Sequence, residues 1–107
     1  MVENNKTIHI NGKIIELEYT IRKYVEYKNG FAVLMYDETI IANNVIYFND
    51  QGEEEWRIND ILKIRKPTGN VDMVKENDDI LCVYSTLGMV FKIDVKKKEL
   101  IEKTFLR

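Results

Sequence analysis

Nucleophilic or acid–base catalysis in this chain would have to use its one histidine, His9, or its one cysteine, Cys82. A Ser-His-Asp triad and a Cys-His pair both require a histidine that acts as a base. His9 lies between two isoleucines near the start of the chain, and Cys82 lies between Leu81 and Val83. These neighbours predict a structural or surface histidine and a thiol buried in a core. We therefore expect a protein that is not an enzyme.

Metal and cofactor chemistry has few suitable residues in this sequence. A zinc site would depend almost entirely on carboxylates, which zinc uses less readily than His or Cys. Residues 50–55 are acidic, but calcium loops place oxygen ligands at alternate positions before their glycine, where this chain has Tyr47 and Phe48. No glycine-rich phosphate loop occurs. We expect no metal and no cofactor, while a carboxylate pair of the glycosidase type stays open because the acids are plentiful.

Residues 50–60 combine five acidic side chains with the only tryptophan, Trp56. An aromatic anchor surrounded by acids is the composition expected of a patch that binds a basic protein. In the simpler alternative, Trp56 and Ile58 face the core while alternate residues face water. In either case the charged side chains are the predicted partner-binding residues, namely Asp50, Glu53, Glu54, Glu55, Arg57 and Asp60.

Nucleic-acid binding is a weaker alternative. Basic residues occur at Lys63, Arg65 and Lys66 and again at residues 96–98, and Tyr47 and Phe91 are aromatic residues on which bases could stack. However, acidic runs at residues 53–55 and 72–79 offset these cations, and the net charge of the whole chain is −2. The charge balance therefore argues against a nucleic-acid partner.

The bulk composition is that of a small globular protein. Hydrophobic residues make up 45% of the 107 residues and charged residues 32%, which suits one domain over residues 1–107. The apolar runs at 31–36 and 80–84 are too short to span a membrane. The first six residues lack the features of a signal peptide. We expect a cytoplasmic protein with no membrane partner, and the frequent Ile, Asn and Lys are typical of an AT-rich bacterial genome.

The elements that position these residues are predicted to be hairpins. Asn11-Gly12 suits the two positive φ angles of a type I′ turn between Thr7–Ile10 and residues 13–19. A two-residue loop pairs Ile10 with Lys13 and Ile8 with Ile15. One face of this hairpin is then apolar, and it comprises Ile8, Ile10, Ile15 and Leu17.

The second Asn-Gly pair, Asn29-Gly30, predicts a similar hairpin. With a two-residue loop, Tyr27 pairs with Ala32 and Val25 with Leu34, and Arg22 meets Asp37 at the open end.

Further strands are predicted along the rest of the chain, at 44–49, 53–58, 71–75, Ile80–Ser85, 89–95 and 99–106. The continuously apolar Ile80–Ser85 predicts a central strand covered on both faces. Residues 59–64 are ambiguous, and the last segment is either a strand or a short helix. The predicted fold is all-β, a single antiparallel meander of seven to nine strands forming a sandwich or partial barrel.

Two stretches of the chain resemble each other. Residues 45–56 align without gaps on residues 90–101, and an apolar strand precedes each at a nearly matching distance. The segment Ser85-Thr86-Leu87-Gly88, followed by a strand ending in Asp94, and the separate turn from Gly52 to Trp56 resemble blade repeats of quinoprotein-type β-propellers. Glu53 stands where that family has Lys, and two blades cannot close a ring. The resemblance therefore implies a strand–turn–strand style and no quinone site.

In size, composition and lack of motifs the chain also resembles small bacterial immunity proteins of polymorphic toxin systems. That resemblance implies a cytoplasmic, non-enzymatic protein that neutralises a basic toxin by protein–protein binding. One alternative is a structural β protein that assembles with itself into a homo-oligomer, and a third is a nucleic-acid-binding module.

Overall fold

The computed structural model describes the backbone of residues 2–105 and the side chains of residues 5–105. The backbone forms three antiparallel sheets. The N-terminal sheet contains β1 (Val2–Asn4), β2 (Thr7–Ile10) and β3 (Lys13–Glu16). The middle sheet contains β4 (Ile21–Tyr27), β5 (Gly30–Met35), β6 (Val45–Asn49) and β7 (Glu54–Arg57). The C-terminal sheet contains β8 (Asn70–Lys75), β9 (Ile80–Ser85), β10 (Met89–Asp94) and β11 (Glu99–Phe105). A short helix, α1 (Ile58–Leu62), follows β7.

The predicted all-β fold of antiparallel hairpins packed as a sandwich is confirmed. Each sheet is an open meander of strands in chain order. The described chain has eleven strands, more than the seven to nine predicted, and β1 was missed because its sequence shows no apolar alternation. Of the ambiguous residues 59–64, the first four belong to α1, which begins at Ile58. The helical alternative for the C-terminal segment is wrong, because β11 pairs along its length with β10, and its predicted end at Leu106 lies outside the described residues.

The middle sheet packs between the other two sheets and shares a core with each. One core joins the middle and C-terminal sheets through residues such as Leu34, Trp56 and Val83. The other joins the middle and N-terminal sheets through Ile8, Phe31 and further apolar residues. The middle sheet is therefore apolar on both faces, and burial of this apolar area is the main favourable term for folding.

β5 has an apolar core on both faces and all six of its residues are buried, whereas Ile80–Ser85 has an apolar core on one face only. β9 is central within its sheet, as expected. Its alternate residues Leu81 and Val83 enter the core, while Cys82 lies on the opposite face. Cys82 is nevertheless only 6% exposed, and Glu76 and Lys92 form an ion pair beside it. The apolar run thus has two different coverings, a core on one face and charged side chains on the other.

The predicted register of the first hairpin is confirmed, but its second strand ends at Glu16 and not at residue 19. Ile8 pairs with Ile15 and Ile10 with Lys13. Asn11 has φ +48° and Gly12 has φ +74°, as a type I′ turn requires. Ile8 is fully buried on the predicted apolar face.

The predicted register of the second hairpin is wrong. Tyr27 pairs with Gly30 and Val25 with Ala32, so the turn is Lys28-Asn29 and not Asn29-Gly30. Gly30 has no positive φ and belongs to β5. A Cβ atom there would lie 2.5 Å from Tyr47 Oη and closer still to the carbonyl oxygen of Phe48, so the position requires glycine for close approach and not for a turn.

Arg22 and Asp37 do meet, but not as the predicted ion pair. Arg22 Nη2 donates to the backbone carbonyl of Asp37 at 2.7 Å, while the Asp37 carboxylate accepts hydrogen bonds from Thr20. The reason is the shifted register, in which Lys23 pairs with Leu34 and Arg22 therefore does not lie opposite Asp37; a bulge between Ile21 and Lys23 also removes Arg22 from the regular ladder.

A buried asparagine pair connects the two large sheets. Asn44 Nδ2 donates to the carbonyl oxygens of Met35 at 2.8 Å and Asn70 at 2.9 Å. Asn44 Oδ1 accepts from both Asn70 N and Asn70 Nδ2. Both asparagines are 1% exposed, so these bonds satisfy backbone groups that water cannot reach. Sequence reasoning missed this pair.

The similar segments of the chain occupy equivalent places in the two large sheets. Residues 45–49 form the third strand of the middle sheet, and residues 90–94 form the third strand of the C-terminal sheet. In each of these sheets the fourth strand has a bulge opposite the same aligned position of the third strand. The bulge lies opposite Tyr47 and Phe48 in the middle sheet, and opposite Lys92 and Ile93 in the C-terminal sheet. The aligned residues Asn49 and Asp94 each accept, through a side-chain oxygen, the N–H two residues further on.

Substitution of the two buried asparagines should have unequal effects. N44A leaves the Met35 and Asn70 carbonyls and the Asn70 N–H without their partner, and it should lower the free energy of unfolding by about 3 kcal/mol or more. N70A keeps its own backbone groups paired with Asn44 and should cost about 1–2 kcal/mol. Urea unfolding at constant m-value measures both. Equal losses would show that Asn44 does not have this special role.

The two glycine roles predict a second contrast. G30A should lower the free energy of unfolding by about 3 kcal/mol, because its methyl group overlaps backbone that cannot move independently. G12A has no atom within 4 Å of its new methyl group, and only the positive φ opposes it, at about 1 kcal/mol. Denaturant melts of the two variants test this order, and a larger loss for G12A would contradict it.

Candidate protein-binding surface

Five of the six predicted binding residues lie on β7, an edge strand, or in the turn before it, and the sixth, Asp60, lies in α1. Asn49 fixes that turn, because its Oδ1 accepts the backbone N–H groups of Gln51 and Glu53, both at 2.9 Å. Its Nδ2 donates to Glu53 Oε1 at 3.0 Å. One asparagine thus sets both the backbone of the tip and the position of one carboxylate.

The tip is also held against the N-terminal sheet. Asn11 Nδ2, in the β2–β3 turn, donates to the carbonyl oxygen of Asp50 at 2.6 Å. A Cβ atom at Gly52 would lie 2.8 Å from Ile10 Cγ2 and 3.1 Å from Ile15 Cδ1, so this glycine permits close packing of the two hairpins, and its φ of +80° also favours glycine. The acidic turn is therefore a supported surface feature.

Arg57 contacts three of the acids, two through its side chain and one through its backbone N–H. Its Nε lies 3.4 Å from Glu54 Oε2 and its Nη2 lies 3.4 Å from Glu18 Oε1. Its backbone N–H donates to Asp60 Oδ2 at 2.9 Å, where α1 begins. Sequence reasoning missed Glu18, because only the packing of the N-terminal sheet on the middle sheet brings residue 18 to residue 57.

Glu55 completes the surface. Phe48 pairs with Glu54 and Tyr47 with Trp56, so Glu55 is the extra residue of a bulge in β7. Its side chain is exposed. We call the six carboxylates of this surface the acidic rim; they are Glu18, Asp50, Glu53, Glu54, Glu55 and Asp60.

Trp56 belongs to the core and does not anchor a partner. It is 2% exposed, its ring stacks on Tyr47 with centroids 5.4 Å apart and planes 8° apart, and its Nε1 donates to the Val95 carbonyl at 3.4 Å. The alternation of core and water-facing residues therefore describes β7 correctly. The acidic rim lacks the exposed tryptophan of the first hypothesis.

The two candidate catalytic residues, His9 and Cys82, lie in different sheets. His9 is exposed on the N-terminal sheet, and Cys82 is buried in the C-terminal sheet. Burial, with a smaller contribution from Glu76, raises the pKa of the Cys82 thiol, which disfavours the reactive thiolate. Over residues 5–105, no three His, Cys, Asp or Glu side chains are grouped as a metal site would need.

The lysine tip of the C-terminal sheet is exposed but partly compensated. Asp94 Oδ1 accepts the backbone N–H groups of Lys96 and Lys97, and Lys96 Nζ lies 3.2 Å from Asp79 Oδ1. The other basic group, Lys63, Arg65 and Lys66, lies in the exposed segment after α1.

Between residues 2 and 105 no helix is long and apolar enough to cross a membrane.

An open cleft of about 640 Å³ lies between the N-terminal sheet and the β5–β6 connection. Its lining includes Arg22, Asp37 and Thr20. The hydrogen bonds from Thr20 lower the pKa of Asp37, and Arg22 donates to two backbone carbonyls. Arg22 and Asp37 of the cleft therefore already have partners within the protein.

A comparison with protein families gives one assignment. The family described as Domain of unknown function (DUF7957) matches residues 1–105. The chain belongs to this family. The match spans all three sheets, so the DUF7957 unit is larger than one four-stranded repeat. No protein in a search of curated proteins matches the chain.

Arg57 and Trp56 are neighbours in the DUF7957 chain with opposite expected roles. R57Q removes two ion pairs of a side chain that is 32% exposed, so it should cost less than about 1 kcal/mol of unfolding free energy. W56A removes a buried stacked ring and should cost about 3–5 kcal/mol. Thermal and urea melts compare them, and a small loss for W56A would disprove its core position.

Proposed function

We propose that this DUF7957 protein is a non-enzymatic binding module that captures a basic protein through the acidic rim. The observation that best supports this is the excess of carboxylates on this surface: the rim has six, and Arg57 forms ion pairs with two of them, Glu18 and Glu54. In the most concrete form, the protein is an immunity protein of the bacterial cytoplasm that neutralises a basic toxin such as a nuclease. The carboxylates would occupy the positions that substrate phosphates occupy in such a toxin.

The support of the rim favours binding. Asn49 and Asn11 fix the turn by side-chain hydrogen bonds, and Gly52 lets it pack on the N-terminal sheet. A surface that is already ordered loses less conformational entropy when a partner binds. Exposed carboxylates also accelerate encounter with a cationic surface, and this effect weakens with salt.

One observation favours a second function, self-assembly through β11. All seven of its residues are exposed, among them Leu100, Ile101 and Phe105, and an exposed edge strand can pair with another strand. Against this, β11 has a bulge and three charged residues, which natural proteins use to prevent such pairing. The rim is therefore the better supported interface.

The rim is tested by E53K/E55K, which leaves the Glu54–Arg57 contact in place. A partner captured from the source lysate by the wild-type protein should bind this variant about ten- to a hundredfold more weakly, through slower association, as expected for reversal of two rim charges. The measurement is surface plasmon resonance at two salt concentrations.

The matched control is E38K/E102K, which makes the same change of net charge at exposed acids away from β7. It should retain the wild-type affinity. Equal weakening by both double variants would show a general charge effect and refute the rim. A concentration-dependent homo-oligomer in light scattering, with no foreign partner captured, would favour self-assembly through β11.

A further inference from the structure

A cationic surface follows the acidic rim in the sequence. We call it the basic loop; it comprises Lys63, Arg65 and Lys66, three exposed residues after α1. Among the described residues, no ion pair involves any of these three side chains. Four lysines elsewhere do pair with an acid, and they are Lys23, Lys75, Lys92 and Lys96. The basic loop therefore presents positive charges that the described part of the chain does not neutralise.

The backbone of the basic loop is held in one conformation by asparagine side chains. Asn59 Oδ1 accepts the Ile64 N–H at 3.0 Å, and Asn59 Nδ2 donates to the Ile64 carbonyl at 3.1 Å. The Asn59 N–H donates to Asn43 Oδ1 at 2.8 Å, and the Asn43 N–H donates to the Thr68 carbonyl at 3.2 Å. Because the loop is already ordered, it loses less conformational entropy when it binds.

The acidic rim has a matching excess of the opposite charge. Arg57 pairs with Glu18 and Glu54 at 3.4 Å, so the rim accepts a cationic side chain of this chain. Three other rim carboxylates have no ion pair with any described residue, and they are Asp50, Glu53 and Glu55. Three unpaired acids on the rim thus correspond to three unpaired cations on the loop.

The acidic turn and the basic loop lie at opposite ends of β6. The turn follows Asn49, where β6 ends, whereas Asn43 ties the loop to the connection that precedes Val45, where β6 begins. The five residues of β6 span about 17 Å, which is far beyond the reach of an ion pair. Two chains related by a two-fold axis can instead place the acidic turn of each copy opposite the basic loop of the other.

We propose that the basic loop binds the acidic rim of a second copy of this chain, in a two-fold dimer. The contact forms twice, because each copy contributes one rim and one loop. The net charge of −2 opposes the approach of two copies only weakly, so local charge complementarity decides the contact.

The dimer also bears on capture of a basic protein, and in this respect the inference rests on the proposed function. A rim that is covered by a second copy is available only to a partner that displaces the basic loop. A more strongly cationic surface does so, and a weakly cationic one does not. The dimer therefore raises the selectivity of the rim.

The first test is light scattering of the full chain over a range of protein concentrations, at low and at high salt. At about 0.01 M ionic strength the mass should rise with concentration towards twice that of the monomer. At about 1 M it should return to the monomer, because the screening length falls from about 30 Å to about 3 Å. A monomer at low salt, or a dimer that salt does not dissociate, would overturn the proposal.

A charge exchange between the two surfaces makes the assignment specific. E53K/E55K makes the rim basic, and R65E/K66E makes the loop acidic; all four residues are exposed. Each variant alone places like charges at both contacts and should dimerise at least about tenfold more weakly than the wild type. An equimolar mixture should recover the dimer, because the acidic loop of one variant meets the basic rim of the other. If both variants have the wild-type circular dichroism spectrum and their mixture stays monomeric, the rim–loop contact is wrong.

The matched control is K97E/K98E, which makes the same change of net charge as R65E/K66E on the exposed lysine tip. It should dimerise like the wild type. A monomeric K97E/K98E beside a dimeric R65E/K66E would assign the contact to the lysine tip and refute the basic loop. Pairing through β11 differs from both, because backbone hydrogen bonds and apolar contacts resist salt and do not depend on residues 65 and 66.

The dimer and the proposed function fail in different ways. If the chain is monomeric at low salt but a basic protein binds it in an E53K/E55K-sensitive manner, the proposed function stands and the dimer is wrong. If the mixture of charge-exchanged variants dimerises but no basic protein is captured, the dimer stands and the proposed function is wrong.

Discussion

A single amide side chain, that of Asn44, defines how the two large sheets meet. Apolar packing between sheets has little directional preference, so it does not by itself fix their relative position. The hydrogen bonds from Asn44 to Met35 and Asn70 do fix it, because they join β5 to the start of β8 where water has no access. In such surroundings an unmade hydrogen bond is costly, so alternative placements of the sheets are disfavoured. The apolar side chains of the shared core pack between the same two sheets. Trp56 donates a further hydrogen bond to the Val95 carbonyl across this interface.

The placement of the middle sheet explains the candidate surface. The N-terminal sheet covers the face that carries Phe31 and Phe48, and its β2–β3 turn reaches the tip of the β6–β7 hairpin. The same contact brings Glu18 to Arg57. On the other side of the middle sheet, the edges of β4 and β8 are joined by a Lys23–Asp72 ion pair at 3.0 Å. The acidic rim lies at the other edge, β7, which contacts the N-terminal sheet through Arg57 and Glu18 and the C-terminal sheet region through Trp56 and Val95.

The parts of the fold that local chemistry determines could be predicted from the sequence, and the parts set by distant contacts could not. Asn11-Gly12 needs two positive φ angles, so its turn and register follow from the dipeptide itself. Asn29-Gly30 has the same letters, yet Gly30 is selected by Tyr47 and Phe48 on the next strand. The five rim acids from residue 50 onward were predicted from their composition. The contact of Glu18 with Arg57 and that of Asn44 with Asn70 depend on residues far apart in the chain.

The tips of the two similar hairpins are built so that their sequences are free to differ. Asn49 and Asp94 each hold their turn through a side-chain oxygen that accepts backbone N–H groups. Backbone donors are present whatever the side chains are, apart from proline, so the tip residues other than Gly52 are not selected for holding the turn. The tip of the β6–β7 hairpin has acidic residues and the tip of the β10–β11 hairpin has lysines, although the two turns are held by the same kind of hydrogen bond. Divergence of binding preference within such a family can therefore proceed by replacing a few tip residues, at almost no cost to the rest of the protein.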